Sequence, residues 1–187
     1  MNTYDFYETI YYGDSEFHFI EYIFKKYPLE MKKYARRYKF YRFLQKKLKL
    51  ISRDKARVKI FTFLKVLRDV DKDLEEFWAS HTKNIKKWYY DVKRPDDVII
   101  SATPSFILEP IVKTLGNSLI GTLMNKKTGE LTGTYNFGEE KVRRFKEIYG
   151  DVIPEKFYSD SLSDSPMANY AKEAFLVTGD EFSPWKG

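Results

Sequence analysis

The chain contains no cysteine and only two histidines in 187 residues. Without a thiol there is no disulfide framework, no thiolate nucleophile and no cysteine-ligated zinc or iron–sulfur centre. A Ser-His-Asp triad would need one of His18 and His81, and a zinc site would ordinarily need both, yet they stand in distant segments that carry no matching motif. Long apolar runs are missing too, since none approaches the roughly 18 residues that a membrane-spanning helix requires. The first nine residues carry Asp5 and Glu8 where a signal peptide would be basic and then apolar, so a cytoplasmic protein is expected. From Glu16 to Tyr90 glycine is absent altogether and Pro28 is the lone proline.

What is present divides the chain in two. Between Lys25 and Arg68 there are 17 basic residues against Glu30 and Asp54, a local charge of +15. The whole chain carries +6, so the remainder carries −9. In the basic region apolar residues recur at helical spacing, as in Phe17, Ile20, Phe24 and in Val58, Phe61, Leu64, Leu67, which predicts a bundle of four or five helices interrupted at Pro28. Outside it, short apolar runs at Thr3–Phe6, Asp97–Ile100, Ser118–Leu123, Lys156–Tyr158 and Ala174–Val177 predict strands. Helices are expected at Pro104–Leu115, Glu139–Tyr149 and Pro166–Lys172, with Gly116 and Gly150 just past two helix ends and Pro104 and Pro166 in first turns. A hairpin-like excursion fits Thr122–Tyr135 around Thr128-Gly129-Glu130. Alternating strands and helices give an α/β fold: a three-layer, Rossmann-like parallel sheet with an all-helical cap inserted after the first strand. The expected units are residues 1–15 with 91–187 as the α/β core and 16–90 as the cap.

Ligands of open α/β sheets bind beyond the carboxyl ends of the strands. At those ends stand Asp5-Phe6-Tyr7-Glu8-Thr9, Ser101-Ala102-Thr103-Pro104 and Ser159-Asp160-Ser161-Leu162-Ser163-Asp164, and Gly138-Glu139-Glu140-Lys141 opens a helix. Asp5 and Asp160 are the hard oxygen donors that Mg²⁺ prefers. Ser101 can donate to a phosphate oxygen near a helix N-terminus. Lys141 sits in a first turn, where its charge opposes the helix dipole unless an anion is bound.

At these residues the sequence resembles the haloacid dehalogenase (HAD) superfamily, in its phosphoserine-phosphatase-like branch with a helical cap. Asp5, Phe6 and Thr9 match the Asp-x-Asp-Gly-Thr motif, Ser101 the strand-terminal Ser, Lys141 the helix Lys, and Asp160 with Asp164 the paired acids. The resemblance implies a Mg²⁺-dependent phosphatase acting on a small phosphomonoester. Asp5 would be the nucleophile that becomes an aspartyl-phosphate. Asp5, the Tyr7 carbonyl and Asp160 would hold Mg²⁺, with Asp164 supporting through water. Thr9, Ser101, Ala102 and Lys141 would hold the phosphoryl group. One position departs from the pattern: Tyr7 stands where the acid/base Asp belongs, and Glu8 replaces the following Gly. A phenol with a pKa near 10 is a poor base at neutral pH, so impaired turnover is expected. A non-catalytic relative that binds phosphorylated ligands or a partner in the same cleft is the alternative.

The basic region has three readings: a solvated helical surface, an attractive field for anionic substrates, or a patch that meets an anionic membrane surface. No nucleic-acid motif accompanies the charge, so no specific nucleic acid is expected. The sequence carries no signature of an oligomeric state.

Overall fold

The structure, a computed structural model, describes residues 1–186 and every side chain among them except those of Lys46, Arg53 and Asp54. Six strands form one sheet in the order β3-β2-β1-β4-β5-β6. They are β1 (Thr3–Tyr4), β2 (Val98–Pro104), β3 (Ser118–Thr122), β4 (Lys156–Ser159), β5 (Glu173–Thr178) and β6 (Glu181–Pro184). The first five pair in parallel and β6 returns antiparallel to β5. The sheet is therefore mixed where a purely parallel one is expected. The sequence gives β6 no alternating signal because all four of its residues are exposed.

Side-chain alternation assigns the two faces. Val98 and Ile100 point to one apolar cluster with Ile120 and Phe157, while Ile99 and Tyr158 point to the other with Tyr4 and Phe6. The first face is covered by α7 (Glu139–Tyr149) through Phe145 and by α8 (Ser165–Tyr170) through Met167. The second face is covered by α6 (Ser105–Leu115) and by the long connection between β1 and β2.

That connection carries α1 (Ser15–Lys26), α2 (Pro28–Lys46), α3 (Arg53–Ile60), α4 (Val70–His81) and α5 (Lys87–Val92), with 3₁₀ turns at Phe61–Val66 and Thr82–Asn84. Asp14 caps α1 by accepting from the Phe17 N–H at 3.0 Å, and Pro28 opens α2 where its missing N–H costs nothing. Phe19, Phe61, Phe77 and Trp78 of this connection share one continuous cluster with Tyr4, Phe6 and Ile107, so the helices pack on the sheet layer directly. The excursion after β3 closes a short hairpin at Met124 and Leu131. Its tip lies so close to the helices that a Cβ on Gly129 would come within 2.5 Å of the Phe61 carbonyl oxygen, and φ there is +74°.

Two sequence expectations shift by a few residues. Ser101 to Pro104 continue β2, through an irregular register between Ile100 and Pro104, where a post-strand loop is expected. Pro104 consequently ends a strand, and α6 begins at Ser105. No described helix is long and apolar enough to cross a membrane.

Candidate active site

Tyr4 pairs with Ile99 on one side and Tyr158 on the other, so the carboxyl ends of β1, β2 and β4 lie side by side. Asp5 leaves β1, its N–H donating to the Tyr158 carbonyl at 2.8 Å. Asp160 leaves β4, and Ser101 rises in β2 between them and β3. The sheet order thus brings together three residues that the sequence separates widely.

The floor of the site is an ion triad. Lys141, in the first turn of α7, is buried and places Nζ 2.8 Å from Asp5 Oδ1 and 2.7 Å from Asp164 Oδ2. Asp164 Oδ2 also accepts from the Ser159 hydroxyl at 2.8 Å. Burial works against the lysine's charge, but Asp5 and Asp164 outweigh it and hold its pKa above the ordinary value. Burial pushes Asp5 up to about 6 even beside Lys141. Burial and then the Asp5 charge push Asp160 up to about 7.

Other side chains fix the loops. The Thr9 hydroxyl is buried and accepts the Asp160 N–H at 2.9 Å, which ties the β1 loop to the β4 loop. Ser101 Oγ accepts from the Thr103 N–H at 3.2 Å, and the Ala102 carbonyl accepts from Thr122 Oγ1 at 2.7 Å. Asn136 is fully buried and donates to the carbonyls of Ser101 and Ile120, at 2.9 Å each. Lys86, also fully buried, donates to the carbonyls of Glu8 and Gly179 at 2.5 Å each. Tyr7 stands at the rim, 41% exposed, with its phenol pKa raised by burial and by Asp14, Glu8 and Asp160. Glu8 has φ +50°, the left-handed conformation that glycine adopts freely.

Above the floor opens a cleft of about 360 Å³ between the sheet edge and the inserted helices. The helices contribute Glu16, Arg42 and Arg57 to its wall. Arg57 pairs with Glu16 at 2.6 Å, donates to the Ala102 carbonyl at 2.9 Å and lies 4.3 Å from the centre of the Tyr135 ring. Burial pushes Glu16 up to about 7 against the pull of Arg57. Sequence reasoning missed Glu16, Arg57, Asn136 and Lys86. Arg57 is one of 17 basic residues in its region and carries no local signal. His18 and His81 line no part of the cleft; their rings lie 6.0 Å apart on the far side of α1, where Tyr11 bonds His18 and Phe77 stacks on His81.

The donors suit a hard divalent cation. Asp5 and Asp160 are both held protonation-prone by burial, Asp160 further by the Asp5 charge, and among the described residues no lysine or arginine forms an ion pair with Asp160. A cation between the two would relieve that repulsion. Among the described residues no group of three or more His, Cys, Asp or Glu side chains clusters as a metal cage, so main-chain oxygen or water would complete the shell, as Mg²⁺ commonly requires.

Comparison with known proteins bears on the family and the fold. Residues 3–169 match the family model of haloacid dehalogenase-like hydrolases. No curated protein matches the chain significantly. Among solved structures, a protein of unknown function from Bordetella pertussis Tohama I superposes with a TM-score of 0.80 at 22% identity, covering 93% of this chain and 87% of that one. A phosphoserine phosphohydrolase-like protein from Francisella tularensis subsp. tularensis SCHU S4 gives 0.57 at 17% identity, covering 93% and 86%. A phosphoserine phosphatase caught as a phospho-aspartyl intermediate analogue gives 0.50 at 16% identity, covering 92% and 83%. With a family match over nearly its whole length and the phosphoserine-phosphatase-like fold, the chain belongs to the haloacid dehalogenase-like hydrolases.

Proposed function

We propose that this protein binds a small phosphomonoester in the cleft and accepts its phosphoryl group on Asp5, with turnover slowed because Tyr7 replaces the acid/base carboxylate. The observation that carries the reading is the placement of Lys141 between Asp5 and Asp164 on the buried floor of a cleft sized for a small molecule. Mg²⁺, held by Asp5, Asp160 and the Tyr7 carbonyl with Asp164 in support, would neutralise phosphate charge when bound.

Asp5 attacks phosphorus through one carboxylate oxygen, and the P–O bond to the leaving group breaks. Lys141 supplies positive charge beside the attacking carboxylate and the transferring group. Ser101, held in place by the Thr103 N–H and by Asn136 on its own carbonyl, donates to a phosphoryl oxygen. Thr9 keeps Asp160 on station, and the main chain at Ala102 lines the phosphate pocket. The departing alkoxide then needs a proton, which a protonated carboxyl group at position 7 would donate, and the carboxylate left behind would take a proton from the water that attacks the aspartyl-phosphate. The neutral phenol of Tyr7 is a weak acid and no base at pH 7. Residues 16–90 act as a cap over a core formed by 1–15 and 91–187, and a cysteine-free chain accords with a cytoplasmic setting.

Tyr7 favours one second reading, a phosphate-ligand-binding relative that does not turn over. A panel of aryl, acyl and alkyl phosphates assayed with Mg²⁺ separates the two. The catalytic reading expects hydrolysis of the activated esters and an acid-stable, hydroxylamine-labile phosphoprotein that Asp5→Asn abolishes. Binding without either product leaves the second reading.

A further inference from the structure

The outward face of α2 has no use in the cleft chemistry. Its positions 29, 33, 36, 40, 43 and 47 advance in steps of four and three, so they form one line along the helix. That line reads Leu29, Lys33, Arg36, Phe40, Phe43, Lys47, and every one of these residues is exposed. The opposite face buries Met31 and Tyr34, which fixes the orientation. Phe40 and Phe43 are 55% and 51% exposed, whereas Phe19 of α1 and Phe77 of α4 are fully buried. At the end of α2 the chain folds back, the Leu50 N–H donating to the Leu44 carbonyl, and leaves Leu48 and Leu50 exposed as well. Beside this lies a shallow groove of about 340 Å³ walled by Tyr41, Ile51 and Val58 and rimmed by Lys55 and Lys59.

Apart from Glu30, the charged residues of α2 are all basic. Among the described residues Lys33, Arg36, Lys47 and Lys49 form no ion pair. Basic residues elsewhere do find carboxylates, as Lys126 does on Asp71 and Lys65 on Glu130. We propose that this face of α2 and the turn after it docks on an anionic lipid surface. Phe40, Phe43 and Leu50 enter the boundary between headgroups and acyl chains, and Lys33, Arg36 and Lys47 meet the lipid phosphates. Two weak signals of this kind, apolar insertion and a basic patch, combine where neither suffices alone. A nucleic acid would satisfy the lysines and arginines but offers nothing to Leu48, Leu50 and the apolar groove. Arg42 and Gln45, on the inner side of the same helix, line the cleft, so docking would bring the cleft close to the lipid surface.

The test is flotation of the full-length protein with vesicles of phosphatidylcholine alone or with about one-third phosphatidylserine. Wild type should bind the anionic vesicles at physiological ionic strength, where the Debye length is about 8 Å, and at least about 10-fold more weakly to neutral ones. Phe40→Ser with Phe43→Ser should lower affinity about 10-fold or more with an unchanged urea unfolding midpoint, since both rings are exposed. Lys33→Glu with Arg36→Glu should lower it comparably and reduce the salt dependence. Phe43→Trp should be quenched by brominated acyl chains. The proposal is overturned if anionic vesicles fail to bind at 0.01 M salt. It is equally overturned if the double Ser variant binds as tightly as wild type, or if a duplex oligonucleotide binds more tightly than the vesicles and displaces them.

Discussion

The cleft floor and the outer face of α2 use the same residue types in opposite ways. On the floor a single lysine is buried between two carboxylates, Asp5 and Asp164, and each contact is shorter than 3 Å. On the outer face of α2, among the described residues, Lys33 and Arg36 are exposed and form no ion pair, and exposed aromatic rings follow them along the helix. The difference teaches that charge count says little about role. Of seventeen basic residues in one region most lie away from the cleft, whereas one lysine outside that region holds the cleft floor together.

The comparison breaks first at Lys141. Replacing it with Met leaves Asp5 and Asp164 buried and uncompensated, which should destabilise the protein by about 3–5 kcal/mol in urea unfolding. A loss below about 1 kcal/mol would mean that the floor is far wetter than its burial indicates. Glu16 sharpens the contrast next. Its folded pKa, about 7, lies above the unfolded carboxylate value, so the native state binds the extra proton between those two values. Its contribution is therefore fully present below the unfolded value and is lost as pH rises toward 7. Wild type should lose stability across that window by up to roughly 1.4 kcal/mol per pH unit more than Glu16→Gln; parallel curves for the two proteins would refute the assignment. Glu8→Gly should stabilise by about 0.5–1 kcal/mol by removing a side chain from φ +50°. The smallest effect belongs to Arg36→Glu, which should leave unfolding within about 0.5 kcal/mol of wild type because nothing folded depends on that side chain.

Much of the site is legible in the sequence because its residues sit at strand ends, and strand ends are marked by short apolar runs followed by Asp or Ser. Asp5 and Asp160 follow β1 and β4 where that pattern places them, whereas Ser101 lies within β2 and Lys141 is marked instead by the glycine that precedes its helix. Glu139–Tyr149 is read to the residue, since a glycine stands at each of its flanks. Lys86 is illegible for a physical reason: its two acceptors are main-chain carbonyls of residues 8 and 179, and no side-chain pattern records a carbonyl. Arg57 and Glu16 meet only when α3 folds against α1, so neither betrays the pair alone. The edge strand β6 escapes because all four of its residues are exposed and leave no alternating pattern.

The central claim is that Tyr7 removes acid/base help from an otherwise assembled phosphoryl-transfer site. Its most direct test is the steady-state hydrolysis of an alkyl phosphate with Mg²⁺ by wild type and by Tyr7→Asp, alone and with Glu8→Gly. Restoring the carboxylate should raise kcat by roughly 10²–10⁴, the contribution of general acid–base catalysis. Equal rates for wild type and the restored variants, at whatever level, would contradict the claim.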